Sequence, residues 1–496
     1  MLGRIKSFLF TNTSLRQTAA KNLFWLSAGQ IGSRIIRAFV IIYAARILGA
    51  SEYGVLSYVL SLAGFFSVFA DMGVNSILTR ETAKKPEDAP VYFATSFWIK
   101  AAMLAVTVLL VIFVAPHLSS IEAAKAIIPF VALLAVFDGF REFSGSFLRG
   151  KQRMELEALI TFVMNVSIAF FGFVILQTYP TAGALALTYA LAAVAGTLAG
   201  GAVLRKEFGG IFRNFRIDLI LPTLKSALPL SLVTIIGFLM LQIDILMLGY
   251  FKEARDVGLY SAGQRIIQFF YIIPAILANA FFPLFARAVG EGNRALVRTL
   301  NERLLSLSFL LTVPAALGGA LLGDQIISLF YGAEYLPGTL PFQILVFTIP
   351  VISMGTIIGN YILAHDEQKR LAPNTIIGAT ANVVLNVLLI PPYGIVGAAF
   401  ATITAQLLYN GLNWHFAKHI NDFRVFRHLP KILSASAGMC AAAYAMKIFG
   451  VPVIMNIIAS SLAYAALLFL LREPLIKDVR ALFKNAAASN SPETQV

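Results

Sequence analysis

Apolar stretches of about twenty residues follow one another along almost the whole chain, and charged side chains seldom interrupt them. A helix needs roughly 20 mostly apolar residues to cross a bilayer, so each stretch is a candidate membrane span. Charged residues make up 13% of the 496 positions, and a soluble fold could not bury so much apolar surface. The sequence therefore predicts an all-α polytopic membrane protein, and it argues against disordered, collagen-like, nucleic-acid-binding and disulfide-stapled chains.

The predicted spans are joined by short connections that leave no room for a soluble catalytic domain. No Walker A motif is present, so the sequence predicts no ATP hydrolysis. We predict fourteen spans. They are 22–48, 53–73, 90–115, 122–148, 156–178, 182–204, 222–250, 256–285, 300–322, 339–364, 374–391, 395–418, 429–449 and 452–471.

Basic residues are distributed very unevenly over the predicted connections. The chain has 39 Lys and Arg residues and a net charge of +14. If the N-terminus is cytoplasmic and the spans alternate, 29 of these residues fall in cytoplasmic segments and five in outer segments. Such an excess is typical of cytoplasmic loops. The pattern predicts that both termini lie in the cytoplasm, and it accounts for the positive charge without a nucleic-acid partner.

The sequence also repeats itself at about 200 residues. The segment 48–58, which contains Gly49 and Gly54, recurs as 248–262 with Gly249 and Gly258. Two pseudo-symmetric six-helix lobes with a central cavity are a transporter architecture. The predicted organisation is a cytoplasmic N-terminal tail (1–21), an N-lobe of spans 1–6 (22–204), a cytoplasmic inter-lobe linker (205–221), a C-lobe of spans 7–12 (222–418), spans 13 and 14 (429–471) and a cytoplasmic C-terminal tail (472–496).

Three ordered motifs carry a family resemblance. They are ARILG followed by EYG at 45–54, DILMLG followed by VGLY at 244–260, and IPPYGIVGAAFAT at 390–402. Together they resemble the oligosaccharide flippase family, the polysaccharide exporters of the MOP superfamily that also contains MATE drug exporters and lipid II flippases. The resemblance covers about residues 20–470. It implies two six-helix lobes in a V shape around a cavity.

The resemblance also implies a function. A family member moves an undecaprenyl-pyrophosphate-linked oligosaccharide from the inner to the outer leaflet of the cytoplasmic membrane by alternating access, for cell-surface polysaccharide biosynthesis. It is not an enzyme and has no cofactor, although H+, Na+ or the membrane potential can drive it. The implied partners are the lipid-linked glycan, membrane lipids, a polysaccharide polymerase and glycosyltransferases.

Basic residues inside the spans are candidates for binding the pyrophosphate. Arg34 and Arg37 lie one turn apart in the first span, and Gln30 lies one turn before them. A buried arginine is costly in a membrane and usually faces water or a partner, and its planar fork suits phosphate oxygens. We expect these side chains to line the cavity, although pairing between helices would also explain them.

Two further spans contribute candidates of the same kind. Arg265 and Gln268 form a polar patch in the eighth span, and Lys100 lies about ten residues inside the third. Lipid II flippases place essential arginines in their first, second and eighth spans, which the positions of Arg34 and Arg265 resemble. The second span here has no clear basic match in its middle. Lys100 either lines the cavity or extends toward the membrane surface.

Acidic residues suggest roles in coupling or gating. Asp138, Arg141 and Glu142 lie in the fourth span, where they form either a locally neutralised group or a proton- or cation-coupling site. Arg46 and Asp244 are rough repeat counterparts of opposite charge near the outer ends of spans 1 and 7. They form either an inter-lobe ion pair that closes the outer side or two separate interfacial charges.

Three alternative functions remain at this point. A MATE-type exporter of organic cations needs an acidic cavity, whereas the clear mid-span charges of spans 1 and 8 are basic. A lipid II flippase is close, but its basic pattern in span 2 is not evident. A membrane glycosyltransferase or polymerase needs acidic residues on a sizeable outer loop, and the outer connections here are short.

The five histidines are scattered, so no metal site is predicted.

Overall fold

The computed structural model describes residues 15–425 and 428–475, apart from some side chains within the helices. The described residues form two compact units that divide between Gly258 and Leu259. Nearly all of them are helical, which confirms the predicted all-α fold. In lipid a helix satisfies its own backbone hydrogen bonds, and this explains the dominance of one element type.

In the described part of the first unit there are nine α-helices and the first turn of a tenth. Its longest helix, α1, is broken at Gly49, whose φ of 73° is left-handed and favours glycine. The break falls between the predicted first and second spans. The helices are α1 Leu15–Asp71, α2 Val74–Lys84, α3 Ala89–Phe113, α4 Glu122–Lys125, α5 Ile128–Gly150, α6 Met154–Thr178, α7 Ala182–Val203, α8 Arg205–Gly209 and α9 Ile220–Phe251.

The second unit begins inside α10 and has a similar broken helix. In α16 the break lies at Gly394, with φ of 57°, directly after Pro391 and Pro392. It falls between the predicted eleventh and twelfth spans. The helices are α10 Ala254–Phe270, α11 Ile272–Gly290, α12 Arg294–Leu321, α13 Gly323–Tyr331, α14 Thr339–Leu345, α15 Thr348–Ala364, α16 Leu371–Ile420, α17 Leu429–Ile448 and α18 Val453–Leu470.

The division by packing falls later in the chain than the repeat-based linker at 205–221. The reason is that α9, the predicted seventh span, packs against α1, α2 and α3 and so belongs to the first unit. Within this unit, α5 packs against α7, and α6 packs against both α1 and α7. Helix α3 packs against α1 and α5, and these three helices carry the charged residues described below.

Nine helices of the described residues are long and apolar enough to cross a membrane, or ten if one bent pair counts as a single span. The chain is therefore a multi-pass membrane protein. Two of the nine, α1 and α16, each cover two predicted spans across a break. The predicted fourth span, α5, contains four charged residues and is not among them. The count of fourteen spans stays a prediction.

Candidate functional site in the helices of the first unit

A buried ion pair joins two helices of the first unit. The Lys100 ammonium on α3 lies 3.0 Å from the Asp71 carboxylate at the end of α1. Lys100 is only 1% exposed, whereas the Asp71 side chain is 25% exposed. A buried ammonium requires such a partner because desolvation penalises an isolated charge. Lys100 is thus held inside the unit, and it does not extend toward the membrane surface.

A second ion pair lies on α5. The Arg141 guanidinium donates to the Asp138 carboxylate at 2.7 Å and to the Glu142 carboxylate at 3.4 Å. Arg141 is buried. A Cβ added to Gly196 of α7 would lie 3.0 Å from Arg141 Cδ, so the absence of a side chain there makes room for the arginine. Sequence spacing predicts the Asp138–Arg141 contact, but only packing reveals the role of Gly196.

Arg37 is tied to a neighbouring helix through an amide. Its Nε donates to Asn165 Oδ1 on α6 at 2.8 Å. The amide nitrogen of Asn165 donates in turn to Ser33 Oγ at 3.0 Å and to the Thr161 carbonyl at 2.7 Å. Asn165 is fully buried, and it fixes one face of α1 against α6. Sequence reasoning missed Asn165, since a single asparagine in an apolar span gives no signal of its partner.

The two ion pairs and Arg37 form one electrostatic group. Lys100 Cε lies 3.6 Å from the Cβ position of Gly139, beside Asp138, and the charges of Arg37 and Lys100 both act on the Asp138 carboxylate. We name this group the charged cluster. Its members are Arg37, Asp71, Lys100, Asp138, Arg141 and Glu142.

The charged cluster is electrically balanced, with three cations and three carboxylates. The cations Lys100 and Arg141 are buried, whereas the Asp138 and Glu142 side chains are 33% and 54% exposed. Protonating one carboxylate would leave an uncompensated cation, and binding a further cation would have a similar effect. The protonation of a single carboxylate would therefore change the net charge of the cluster.

The remaining predicted residue of the first span, Arg34, differs from Arg37 in its setting. Arg34 is exposed, whereas Arg37 is half-buried and bound to Asn165. Gln30 lies in α1, but its side chain is outside the described residues. The structure therefore separates one exposed arginine from one that is anchored, although sequence places both on one face.

The start of α1 is anchored to the turn between α5 and α6. Lys21 is 1% exposed and donates to the Glu155 carboxylate at 3.0 Å and to the Gln152 carbonyl at 3.3 Å. Asn22 Nδ2 donates to Gln152 Oε1 at 2.6 Å. Residues 15–21 of the predicted N-terminal tail are helical, and Lys21 at their end is paired with a buried carboxylate.

The other predicted site residues lie apart from the charged cluster. In the second unit, Arg265 Nη1 donates to Gln268 Oε1 at 3.5 Å. Its Nε is one of the buried polar atoms with no hydrogen-bond partner in the described part of the chain. Asp244 is buried on α9, and Arg46 is exposed on α1. The proposed gate between Arg46 and Asp244 stays a prediction.

The two copies of the repeat motif contact each other through their glycines. A Cβ added to Gly54 would lie 1.7 Å from the Ala254 carbonyl oxygen. A Cβ added to Gly258 would lie 1.9 Å from the Ala50 carbonyl oxygen. The second segment of α1 therefore crosses the start of α10 at backbone distance, with a reciprocal pattern. Sequence comparison finds the repeat but not this mutual contact.

The second unit has a polar interior of a different kind, made of amides. Along the two segments of α16, Asn374 donates to Asn413 at 2.8 Å, and Asn386 donates to Asn382 at 2.8 Å. Asn410 donates to the Gln406 side chain at 3.1 Å. Five of the six are buried, namely Asn382, Asn386, Gln406, Asn410 and Asn413. Sequence reasoning missed this seam because its members are uncharged and spaced over forty residues of chain.

Comparison with known families is decisive for the class of protein. The profile of the polysaccharide biosynthesis protein family matches residues 19–289, which is more than half of the chain. The chain belongs to this family. This confirms the predicted resemblance. The MatE profile matches residues 229–388 as well, in keeping with the predicted superfamily.

Several named proteins are similar to this chain over most of their length. A probable low-salt glycan biosynthesis flippase, Agl15 of Haloferax volcanii, is 24% identical over 383 residues, covering 76% of this chain and 78% of the relative. A probable flippase of the same organism, AglR, is 25% identical, covering 77% of this chain and 80% of the relative. The lipopolysaccharide biosynthesis protein WzxC of Escherichia coli is 22% identical and covers 71% of both.

Two solved structures show the same fold at low sequence identity. The lipid II flippase MurJ in an inward closed conformation has a TM-score of 0.73 at 17% identity, covering 92% of this chain and all of MurJ. An inward-facing multidrug resistance MATE family transporter has a TM-score of 0.67 at 14% identity, covering 80% of this chain and 98% of the transporter. The polysaccharide biosynthesis protein described here therefore has the fold shared by MurJ and MATE transporters.

Proposed function

We propose that this protein is a flippase that carries a lipid-linked oligosaccharide from the inner to the outer leaflet of the cytoplasmic membrane, for cell-surface polysaccharide biosynthesis. Membership of the polysaccharide biosynthesis protein family carries the proposal. Relatives that are named glycan flippases and span most of the chain support it. No bond of the substrate is made or broken in this role, so the protein is a transporter and not an enzyme.

The arginines of α1 support an anionic substrate. Arg34 is exposed, and Arg37 is held in place by Asn165. Arginine remains charged when water is removed and pairs its planar fork with phosphate oxygens. We assign the pyrophosphate of the lipid carrier to Arg34 and Arg37 in the first unit, with Arg265 as the equivalent residue of the second unit.

The test is leaflet transfer in reconstituted liposomes. A fluorescent undecaprenyl-pyrophosphate oligosaccharide is incorporated with the purified protein, and its arrival at the opposite leaflet is followed by lectin binding. We expect transfer with the wild-type protein and its loss in Arg34→Ala/Arg37→Ala. Arg287→Ala is a matched control, since Arg287 is an exposed arginine paired to Glu291, the residue that follows the end of α11. Transfer by the double variant at the wild-type rate would remove these arginines from the mechanism.

Two other substrates have specific support and are outcomes of the same assay. The MatE match over residues 229–388 favours an ion-coupled exporter of organic cations. A 32% identity over 154 residues to the lipid II flippase of Bacillus subtilis, covering 29% of this chain, favours lipid II. Transport of ethidium-like cations under an ion gradient, with no glycan transfer, would establish the first. Transfer of labelled lipid II in preference to the oligosaccharide would establish the second.

The charged cluster is the proposed coupling site for H+ or Na+. Because its three cations and three carboxylates balance, binding of a proton or a sodium ion to one carboxylate would change its net charge. We expect Asp138→Asn to uncouple glycan transfer from an imposed proton or sodium gradient while leaving slow transfer without a gradient. An unchanged response to both gradients in Asp138→Asn would exclude the cluster from coupling.

A polymerase and glycosyltransferases that extend or supply the glycan are the proposed partners.

A further inference from the structure

Two histidines near the end of α16 face each other across one helical turn. His415 and His419 are four residues apart, and their Nε2 atoms are 3.1 Å from each other. Both residues are exposed, and their ring planes are inclined by 85° with centroids 4.6 Å apart. Residue spacing alone does not predict this contact, because it does not give the direction of the ring nitrogens. The structure brings two imidazole nitrogens together on the exposed side of the helix.

The separation of the two nitrogens matches the bite of a metal chelate. Zinc binds imidazole nitrogen at about 2.0–2.1 Å. Two such bonds place the nitrogens roughly 3.3–3.4 Å apart at the tetrahedral angle and roughly 2.8–3.0 Å apart at a right angle. The observed 3.1 Å lies between these values. Histidines at positions i and i+4 of a helix are also the pair that binds zinc in helical metal motifs.

The charges around the pair permit a cation to approach. Lys418, between the two histidines, pairs with Asp422 at 3.5 Å. Arg370 lies over the Phe416 ring at 5.2 Å from its centroid. Both cations therefore have partners of their own. Among the residues that the structure describes, no third His, Cys, Asp or Glu completes a set of three ligands.

We propose that His415 and His419 bind one divalent transition-metal ion through their Nε2 atoms. Imidazole selects zinc, nickel, copper or cobalt over magnesium and calcium, which prefer oxygen ligands. Two protein ligands leave the other coordination positions to water. Before the ion binds, one Nε2 donates its hydrogen to the other. In the complex both Nε2 lone pairs face the metal, and each ring carries its proton on Nδ1.

The test is metal titration of the full-length protein purified with an affinity tag that contains no histidine. Isothermal titration with Zn2+ should give one ion per chain, and Mg2+ should give no binding. Each of His415→Ala and His419→Ala should weaken Zn2+ binding by at least about tenfold, because the chelate loses one of its two protein ligands. His117→Ala is the matched control, since His117 is also exposed but has no histidine neighbour on its helix turn.

A second measurement reports the ligands directly. The electron paramagnetic resonance spectrum of bound Cu2+ should show two equivalent imidazole nitrogens in the wild-type protein and one in either single variant. Size-exclusion chromatography checks that the variants remain folded. Unchanged Zn2+ affinity in His415→Ala/His419→Ala, or a copper spectrum that the double variant leaves intact, would overturn the proposal. This outcome is independent of whether the protein transports a glycan.

Discussion

The reciprocal glycine contact between α1 and α10 makes a quantitative prediction. A Cβ on Gly54 would lie 1.7 Å from the Ala254 carbonyl oxygen and 2.7 Å from its carbonyl carbon. A carbon atom and a carbonyl oxygen approach to about 3.3–3.6 Å, so Gly54→Ala requires the two helices to separate by about 1.6–1.9 Å. The obstructing atoms are backbone, and no side-chain rotation relieves the contact.

The chain offers a matched control on the same helix. A Cβ on Gly32 would have no described atom within 4 Å apart from the backbone of its own helix and its chain neighbours. Both substitutions replace a helical glycine by alanine, and both therefore gain the same intrinsic helix stability of about 0.5–1 kcal/mol. This gain cancels when the two variants are compared. Overpacking costs about 1–3 kcal/mol, so Gly54→Ala should be less stable than Gly32→Ala by that amount.

The assay is thermal unfolding of each purified variant in detergent, followed by glycan transfer in liposomes. A difference of this size corresponds to a few degrees in the unfolding midpoint. We expect Gly258→Ala to behave like Gly54→Ala, because its Cβ would lie 1.9 Å from the Ala50 carbonyl oxygen. If Gly54→Ala unfolds at the same temperature as Gly32→Ala and transports at the same rate, the close crossing of the two repeat motifs does not exist in the folded protein.

Three further predictions concern polar contacts in the first unit. Asp71→Asn leaves the buried ammonium of Lys100 without its counter-ion, so we expect it to lower the free energy of unfolding by about 3–5 kcal/mol. Adding Lys100→Met should restore most of this loss when the double-mutant cycle is measured by thermal unfolding, and additive effects of the two substitutions would contradict the pairing. Asn165→Ala removes a buried amide that binds Arg37 of α1, so it should lower the free energy of unfolding by about 1–3 kcal/mol and slow glycan transfer. An unaltered transfer rate would show that transport does not require the hydrogen bond to Arg37. Reversing either charge of Arg46 and Asp244 should impair transport and reversing both should restore it; absence of rescue would count against the gate.

Local composition was sufficient to predict that the chain is a membrane protein and to locate the breaks within the two longest helices. The predicted connection after residue 48 contains Gly49, and the one after residue 391 contains Gly394, where the structure breaks α1 and α16. Glycine favours a left-handed φ at such points because it has no Cβ. The three ordered motifs at 45–54, 244–260 and 390–402 were likewise sufficient to place the chain in its family.

Contacts between residues that lie far apart in the sequence could not be predicted from local composition. Lys100 lies 29 positions from Asp71, and Arg37 lies 128 positions from Asn165. In sequence, Lys100 fits a cavity-lining role as well as it fits a buried pair. The choice depends on which faces of α1, α3 and α6 pack together, and small residues such as Gly196 influence that packing by leaving space for a neighbour.

The sequence by itself determined that this protein spans a membrane and that it belongs to the polysaccharide biosynthesis protein family. These properties follow from hydrophobic spacing and from ordered motifs, both of which are local. Only the tertiary structure decided that Lys100 has a carboxylate partner, that the repeat glycines touch and that two histidine nitrogens meet. Each of these depends on side-chain direction and helix packing, which fix distances that residue order alone does not contain.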